Sequence, residues 1–291
     1  MDRVHVLVTG SNGQLGNELQ RLAMYDGAIQ YTFVDADEMD LTRSDDIHEY
    51  FSQKQFDFIV NTAAYTDVDG AESNEDLAFA VNERAVAHLG EICLKSKTRL
   101  IHISTDYVFD GHAYRPLDES AEPNPLSVYG RSKLGGEKAV LSMLPDAYIV
   151  RTSWLYSSFG KNFVKTILRL AAERESLRVV ADQVGSPTYA RDLGQAITEM
   201  VVAIASGRVN APGIYHYANA GIASWYDVAS AIVRHKGFSC KINPIRTEEY
   251  PMKAQRPHYS VLDKRKISAT FGLVIPNWYE SLVECLEGFD R

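Results

Sequence analysis

The stretch His5-Val6-Leu7-Val8-Thr9-Gly10-Ser11-Asn12-Gly13-Gln14-Leu15-Gly16 decides the fold of this chain. Its first five residues predict a buried strand, and the apolar positions Leu15, Leu19 and Leu22 predict a helix directly after the glycines. Glycines permit a tight turn there, while the amide groups and dipole of the helix N-terminus attract an anion such as a pyrophosphate. The spacing G-x-x-G-x-x-G therefore indicates a dinucleotide-binding turn, although a glycine loop alone can be only a turn.

The rest of the first half alternates short β-rich segments with helical patterns. Strands are predicted at 31–35, 56–60, 99–104 and 147–151, and helices at 45–51, 75–95 and 133–143. Continuous apolar strands separated by helices are typical of a parallel sheet that is covered on both faces. Right-handed crossovers then give an α/β, doubly wound parallel-sheet Rossmann fold.

The alternation becomes less regular beyond about Ser157. Helical patterns occur at 162–174, 191–205, 225–235 and 277–287, and short strands at 177–181 and 213–217. We interpret residues 1–156 as the dinucleotide-binding domain, to which the chain returns near 182–218. Residues 157–291 then form mainly a smaller C-terminal substrate-binding lobe.

The composition limits the classes of partner. The chain has 291 residues and a formal net charge of −8, which argues against general binding to nucleic acid or to an anionic membrane surface. It has no apolar run long enough to cross a bilayer and no signal-peptide pattern, so we expect a cytoplasmic protein. The scattered Cys93, Cys240 and Cys285 predict neither a disulfide framework nor a C-x-x-C metal site.

Two further segments extend the predicted dinucleotide site. Asp35 ends the second strand, where a carboxylate would bind ribose hydroxyls and repel a 2′-phosphate, which favours NAD; it could equally be a solvated loop acid. Asn61-Thr62-Ala63-Ala64-Tyr65 follows the third strand, and its small residues would let a flat cofactor lie against the backbone. The predicted cofactor-binding residues are Gly10, Asn12, Gly13, Gln14, Leu15, Gly16, Asp35, Ala63, Ala64 and Tyr65.

A tyrosine and a lysine are spaced to share one helical face. Tyr129 and Lys133 stand at positions i and i+4, and a nearby cation would favour the phenolate over the phenol. Ser104 and Thr105 end the strand at 99–104, where a hydroxyl could hydrogen-bond a substrate carbonyl while the tyrosine protonates it. Taken alone, such a pair is usually a solvated helix face, and Ser-Thr after a strand is a turn.

Together these motifs resemble the extended short-chain dehydrogenase/reductase family over essentially the whole chain. The glycine loop, the Asn-x-Ala-Ala segment, the Ser-Thr strand end and Tyr-x-x-x-Lys all occur in the family's order. The resemblance implies that NADPH or NADH is the cofactor. It also implies that Tyr129 is the general acid, that Lys133 lowers its pKa and holds the nicotinamide ribose, and that Thr105 orients the carbonyl.

Within that family the chain is similar to reductases of 4-keto sugar nucleotides. The matching stretches are Gly13-Gln14-Leu15-Gly16-x-Glu18-Leu19, Ala64-Tyr65-Thr66-x-Val68-Asp69-x-Ala71-Glu72, Ser104-Thr105-Asp106-Tyr107-Val108-Phe109-Asp110-Gly111, Pro125-Leu126-x-Val128-Tyr129-Gly130, Arg151-Thr152-Ser153-Trp154-Leu155-Tyr156, Asp182-Gln183-x-Gly185-x-Pro187-Thr188 and Arg256-Pro257. The resemblance implies reduction of the C4 ketone of dTDP-6-deoxy-L-lyxo-4-hexulose, a dTDP-sugar substrate.

The same resemblance assigns further residues to the two ligands. It implies that Thr105, Asp106 and Trp154 bind the sugar nucleotide, and that Asp40 and Leu41 flank the adenine. Guanidinium groups match diphosphate oxygens well, so Arg256, with Arg191 as a second candidate, would pair with the nucleotide. For any single arginine, a surface ion pair is the alternative.

Two departures limit what the resemblance implies. Some family members bridge a homodimer through Mg²⁺ held by acids, one of which aligns with Glu18. Arg191 stands where a second acid would follow the Pro-Thr turn, which argues against that metal site. The oligomeric state therefore stays open between monomer and homodimer. Family members also differ over NADH and NADPH, and Asp35 alone does not settle that choice.

Other functions of the same fold remain alternatives. A sugar-nucleotide 4,6-dehydratase would carry an Asp-Glu pair directly after the threonine, whereas here Asp106 is followed by Tyr107. An epimerizing reductase is disfavoured because no Cys/His pair stands at the strand end. A non-catalytic NADP-binding regulatory subunit, similar to the β subunit of methionine adenosyltransferase, and a reductase of a related nucleotide-sugar both stay open.

Overall fold

The structure, a computed structural model, describes residues 3–25 and 27–289. Its strands are β1 (Val4–Thr9), β2 (Ile29–Val34), β3 (Phe58–Asn61), β4 (Arg99–Thr105), β5 (Tyr148–Thr152), β6 (Leu155–Tyr156), β7 (Ser176–Val180), β8 (Val184–Gly185), β9 (Thr188–Tyr189), β10 (Gly213–His216), β11 (Ala223–Ser224) and β12 (Lys241–Ile245). Its helices are α1 (Gln14–Ala23), α2 (Ser44–Phe51), α3 (Val68–Ala71), α4 (Glu75–Phe79), α5 (Ala85–Ser96), α6 (Val128–Met143), α7 (Phe163–Glu173), α8 (Ala190–Ala205), α9 (Trp225–Lys236), α10 (Arg265–Phe271) and α11 (Trp278–Gly288). A π-helical turn (Ala80–Arg84) joins α4 to α5, and 3₁₀ turns follow β4 (Asp106–Val108) and β12 (Thr247–Glu249).

Six strands form one parallel sheet in the order β10-β5-β4-β3-β1-β2. Because β1 lies between β2 and β3, the direction of winding reverses at β1. In doubly wound sheets, ligands bind in the crevice outside the carboxyl ends of the strands at this reversal. The predicted fold class is therefore confirmed, and the glycine turn after β1 lies beside the segment that follows β3.

Both faces of the sheet are covered by helices. Side chains alternate across a strand, so Val6 and Val8 pack in the cluster formed with α1 and α8, while Leu7 packs in the cluster with α2, α5 and α6. All three are fully buried, which explains why β1 is a continuous apolar run and not an alternating one. Within the described residues, no helix is long and apolar enough to cross a membrane.

A second apolar cluster lies in the later part of the chain. It is built from α7, α9, α11 and the paired strands β7 and β12, and includes the fully buried Ala229, Ile232 and Cys285. The later part of the chain also contributes to the main sheet, because β10 pairs with β5 at the sheet edge. The helix α8 packs on α1 in the first cluster. Later segments thus complete the fold begun by the first half.

Two predicted helices differ from the observed ones. The helix expected at 133–143 begins at Val128, because the side chain of Ser127 accepts a hydrogen bond from the Gly130 amide and caps the helix there. The helix expected at 75–95 is interrupted by the π-helical turn at Ala80–Arg84. Hydrophobic periodicity does not report a π turn, since one inserted residue only displaces the apolar face locally.

Candidate active site

The glycine turn after β1 lies against the segment after β3. Gly10 has φ of +69°, and a Cβ on it would lie 2.7 Å from backbone atoms of Ala63. A Cβ on Gly16 would lie 2.5 Å from the Gly10 carbonyl oxygen, so the start of α1 also packs closely on the turn. The amide of Thr62 donates to the Thr9 carbonyl (3.2 Å). Only glycine fits these two positions, and the result is a narrow backbone cradle at the N-terminus of α1.

The predicted ribose-binding acid is joined to this cradle. Asp35 follows β2, and its carboxylate accepts a hydrogen bond from the Asn12 amide (2.7 Å). The amide of Ser11 donates to the Val34 carbonyl (3.1 Å), so the turn is fixed to the end of β2 by two bonds. The structure therefore brings Asp35 to the glycine turn, as a ribose-binding residue requires.

The residues expected beside the adenine follow β2. Asp40 accepts hydrogen bonds from the amide and the hydroxyl of Thr42, and these bonds lower the pKa of its carboxyl. Leu41 is buried in the cluster with α2. These residues shape the segment that leads from the cradle into α2, and their contact with adenine stays a prediction.

The side chain of Asn82 joins the cofactor side of the site to the catalytic helix. It accepts from the Tyr65 amide (2.9 Å) and donates to the Tyr65 carbonyl (3.0 Å) and to Ser132 Oγ on α6 (3.0 Å). Asn82 is fully buried and lies in the π-helical turn, so this irregular turn places the Asn82 amide between Tyr65 and Ser132. Asn82 was not predicted, because an asparagine within an apolar helical pattern gives no sign of its partners.

Tyr129 lies in the first turn of α6 and faces the end of β4. Its phenol lies beside the Thr105 side chain, and its ring packs edge-on against Tyr107 with centroids 5.4 Å apart. A Cβ on Gly130 would meet the Tyr107 carbonyl oxygen at 2.2 Å, so only glycine lets α6 approach the turn after β4 this closely. The predicted pair of Thr105 and Tyr129 is thus brought together in space.

The electrostatics of Tyr129 differ from the expectation. Burial raises the pKa of its phenol to about 12; the hydrogen bond with Thr105 acts in the opposite direction, and the charge of Asp106 adds to the rise. Lys133 was expected to lower this pKa. Instead its ammonium group donates to the Ile103 carbonyl (2.7 Å), and no hydrogen bond links the described Tyr129 and Lys133 side chains. The phenol therefore stays protonated at neutral pH.

Asp106 lies directly behind the threonine. Its Oδ1 accepts a hydrogen bond from Thr105 Oγ1 (3.1 Å), while its Oδ2 is buried without a protein partner among the described residues. Burial raises the pKa of this carboxyl to about 6, although hydrogen bonds with Ser260 and Thr105 oppose the rise. A buried acceptor beside the catalytic hydroxyl suits a polar ligand group, as the prediction for Asp106 requires.

Trp154 is held in an unusual conformation after β5. Its φ is +48°, a left-handed conformation that is strained for a bulky residue. The indole stacks on Trp225 with centroids 3.6 Å apart, and a Cβ on Gly185 would lie 2.8 Å from it. Trp225 in turn donates from Nε1 to Gln183 (3.2 Å). Trp225 therefore forms the platform that positions Trp154, a contact that was not predicted.

Arg256 reaches the site from the second half of the chain. It makes a bidentate ion pair with Asp69 (2.7 and 3.2 Å), and it lies near Tyr107, the residue that packs on Tyr129. The bond from Arg256 lowers the pKa of the Asp69 carboxyl. The second candidate, Arg191, pairs instead with Glu284 on α11 (2.7 Å). Of the two arginines, Arg256 is the one that lies near Tyr107, the residue that packs on Tyr129.

The residues around Glu18 do not fit a magnesium ion. Glu18 is fully buried, both of its carboxylate oxygens lack a hydrogen-bond partner among the described residues, and burial raises its pKa. Its charged surroundings include the guanidinium groups of Arg21 and Arg191. Within residues 3–25 and 27–289, no three His, Cys, Asp or Glu side chains are grouped to hold a metal. The Arg21 guanidinium, 3.8 Å from Glu18 Oε2, already supplies positive charge beside this carboxylate.

A doubly wound sheet, a glycine cradle at its reversal point and a Thr-Tyr-Lys set at its carboxyl edge are the features of the extended short-chain dehydrogenase/reductase class. Comparison with known proteins narrows the class. The chain belongs to the RmlD substrate binding domain family, whose model matches residues 4–291.

Three relatives show how closely the chain follows that family. A dTDP-4-dehydrorhamnose reductase of Aggregatibacter actinomycetemcomitans is 40% identical over 283 residues, which cover 95% of this chain and 96% of that protein. The crystal structure of a dTDP-4-dehydrorhamnose reductase from Clostridium acetobutylicum matches with a TM-score of 0.93 and 38% identity, covering 99% of this chain and 100% of that one. That of the Bacillus anthracis protein in complex with NADP matches with a TM-score of 0.92 and 35% identity, with the same coverage.

Proposed function

We propose that this chain is the NAD(P)H-dependent reductase that converts dTDP-4-dehydro-L-rhamnose (dTDP-6-deoxy-L-lyxo-4-hexulose) into dTDP-L-rhamnose. The observation that carries the proposal is that Tyr129 lies beside Thr105 at the carboxyl edge of the sheet, with its ring packed edge-on against Tyr107 at 5.4 Å. Asn82 connects this pair's helix to the segment beside the glycine cradle, so acid and cofactor sites form one unit. The relatives named as dTDP-4-dehydrorhamnose reductases support the substrate.

The cofactor would lie in the cradle at Gly10 and Ala63, with its pyrophosphate at the N-terminus of α1 and its ribose near Asp35. When bound, the reduced nicotinamide supplies a hydride to the C4 carbon of the sugar. The complex of the Bacillus anthracis relative with NADP supports a nicotinamide cofactor. Because the Asp35 carboxylate already accepts from the Asn12 amide, it is fixed where it would meet a 2′-phosphate if NADPH binds.

The protein side of the reaction is a proton transfer. Tyr129 donates its phenolic proton to the C4 oxygen as the alkoxide forms. A phenol whose pKa is raised to about 12 stays protonated until an alkoxide, a much stronger base, appears. The Thr105 hydroxyl donates to Asp106, and it can turn from that carboxylate to the substrate carbonyl without moving the backbone. Substrate entry would then exchange one hydrogen bond for another.

The second lobe would hold the nucleotide and the sugar. Arg256 presents a guanidinium oriented by Asp69, which matches two oxygens of a diphosphate. Trp154 offers an aromatic face fixed by Trp225. We accordingly propose that residues 1–156 with the returning segment near 182–218 serve the cofactor, and that the remaining residues serve the sugar nucleotide. A homodimer stays a prediction.

The proposal is tested by mixing the purified chain with NADPH or NADH and authentic dTDP-4-dehydro-L-rhamnose. We expect oxidation of the cofactor at a rate proportional to enzyme, and dTDP-L-rhamnose as the product identified by NMR. A regulatory subunit that only binds NADP would show cofactor binding by calorimetry without oxidation, and that result would overturn the proposal. A product with the opposite C4 configuration would show that the chain is a reductase that forms a related nucleotide-sugar.

A further inference from the structure

A chain of buried hydrogen bonds leads from the glycine turn to Lys133. Thr9 Oγ1 at the end of β1 donates to Asn61 Oδ1 on β3 (2.7 Å), and Asn61 Nδ2 lies 3.0 Å from His102 Nδ1 on β4. His102 Nε2 lies 3.4 Å from Lys133 Nζ on α6. Thr9, Asn61 and His102 are at most 1% exposed and Lys133 is 2% exposed, so water does not take part freely.

The backbone fixes the orientation of the Asn61 amide. The amide of Ala63 approaches Asn61 Oδ1 at 3.2 Å, and a backbone N–H can only donate. The atom that receives it must therefore be the oxygen, which leaves the NH₂ group directed at His102.

The orientation of that amide determines the tautomer of His102. Because Asn61 Nδ2 donates to it, His102 Nδ1 must carry the lone pair and not a proton. Burial, with the charge of Lys133 as a second cause, holds the pKa of His102 well below its usual value, so the ring is neutral. A neutral imidazole without a proton on Nδ1 has its proton on Nε2, and this N–H is the one that faces Lys133.

This N–H affects the two charge states of Lys133 differently. An ammonium group has three donors and no acceptor, so it meets the Nε2–H donor head to head. A neutral amine has a lone pair that can accept this N–H, while one of its own hydrogens still reaches the Ile103 carbonyl (2.7 Å). The imidazole thus weakens the hold of Lys133 on its proton.

We propose that His102 is a positioning residue that presents its Nε2–H to Lys133 and thereby sets how firmly this lysine holds its proton, with Asn61 selecting the tautomer. The inference rests on the proposed function, in which Lys133 stands one helical turn from the proton donor Tyr129. Its consequence is that Lys133 changes charge in the neutral to mildly alkaline range, and turnover that depends on the cation falls there.

Other groups act on Lys133 in both directions. Burial is the main cause that lowers its pKa to about 8, and the charge of Glu137, one turn along α6, opposes it. The Glu137 carboxylate is itself bound by Arg151 (2.9 and 2.6 Å) and by Ser104 (2.5 Å), so most of its charge is compensated. The groups that face the Lys133 side chain are thus His102 and the Ile103 carbonyl on β4, and Glu137 with its partner Arg151.

Nitrogen-15 NMR of the histidine rings tests the tautomer without any need for turnover. Two buried rings should not titrate in the native range, since the pKa of His216 is also lowered, to about 3. His216 Nδ1 faces the Leu117 carbonyl (3.0 Å) and must carry the proton, so it is a built-in control of the opposite tautomer. We expect one Nε2–H ring and one Nδ1–H ring. If both rings carry the proton on Nδ1, the proposal is overturned.

The effect on Lys133 is tested with two variants. In His102→Gln, the amide oxygen can accept from the ammonium group; in Asn61→Asp, the carboxylate would reverse the His102 tautomer. Both should move the alkaline limb of the kcat profile, and the Lys133 titration followed by lysine NMR, upward by about 1 pH unit. Unchanged Lys133 titration in a folded His102→Gln protein would overturn the proposal. If instead the titration shifts but no reduction is detected, the proposed function fails and this inference stands.

Discussion

The Arg256 guanidinium is held by the Asp69 carboxylate across 187 residues of sequence, through two hydrogen bonds of 2.7 and 3.2 Å. The amide of Ala254 also donates to Asp69 (3.0 Å), so this acid fixes both the backbone and the side chain of the arginine's segment. Because Arg256 also lies near Tyr107, the ion pair brings the second half of the chain close to the ring that packs on Tyr129. Asp69 is therefore expected to act on substrate binding through Arg256.

Asp69→Asn should weaken substrate binding more than turnover. The amide keeps one acceptor but loses the charge that orients the guanidinium, so we expect KM for the sugar nucleotide to rise about tenfold while kcat changes less than about threefold. Steady-state kinetics on both parameters check this. Asp263→Asn, which removes the partner of the exposed Arg265, is the matched control and should leave KM near the wild-type value. A fall in kcat alone for Asp69→Asn would contradict the assignment.

Asp106→Asn should stabilise the fold in a pH-dependent way. The pKa of Asp106 is raised from 3.8 to about 6, so its contribution to stability is complete below about pH 4 and is lost as the pH rises through 6. Above that range the buried charge costs about 3 kcal/mol, which a neutral amide avoids. Thermal unfolding should therefore show a higher Tm than wild type at pH 8 and a similar Tm near pH 4.

The matched control for this stability measurement is Asp110→Asn. Hydrogen bonds from His112 and Asn124 lower the pKa of Asp110, so the same substitution there should not stabilise the protein at pH 8. If the Tm difference between Asp106→Asn and wild type is the same at pH 4 and pH 8, burial does not destabilise the ionised carboxylate, and the prediction is wrong.

The core of the site could be predicted because its signals are local in sequence. Gly10 and Gly16 fall in one turn, and Tyr129 and Lys133 stand one helical turn apart, so short-range spacing is enough to find them. Thr105 was found because a strand pattern ends there. The doubly wound parallel sheet followed from apolar runs separated by helical patterns, and that prediction is confirmed.

The rest depended on contacts between distant residues. Nothing in the sequence pairs Asp69 with Arg256, or places Trp225 under Trp154, because each pair forms only when the second half of the chain packs on the first. The direction of the Lys133 ammonium was also missed, since helical spacing gives the face of a side chain but not the acceptor that it finds. Its preference for the Ile103 carbonyl follows from the buried end of β4.

Asp35→Asn should change the choice of cofactor. Its carboxylate is fixed by the Asn12 amide and would repel a 2′-phosphate, whereas an amide oxygen can keep that bond without the charge. We expect the ratio of kcat/KM for NADPH to that for NADH to rise about tenfold. Asp37→Asn, an exposed neighbour, serves as the control. An unchanged ratio for Asp35→Asn would place the ribose away from Asp35.

Removal of divalent metal should leave the activity intact. Arg21 and Arg191 supply positive charge around Glu18, and the described part of the chain groups no set of side chains for a metal. We expect the same rate of cofactor oxidation after dialysis against EDTA and after addition of Mg²⁺. Loss of activity in EDTA that Mg²⁺ restores would show that a metal completes the site.

The most direct measurement of the central claim is the turnover of Tyr129→Phe with authentic 4-keto sugar nucleotide. The variant lacks only the phenolic hydroxyl beside Thr105, so cofactor affinity should stay within about threefold of wild type while kcat falls at least about 100-fold. Tyr114→Phe, which alters a tyrosine that is 89% exposed, should retain full activity. A folded Tyr129→Phe protein that turns over at the wild-type rate would contradict Tyr129 as the proton donor.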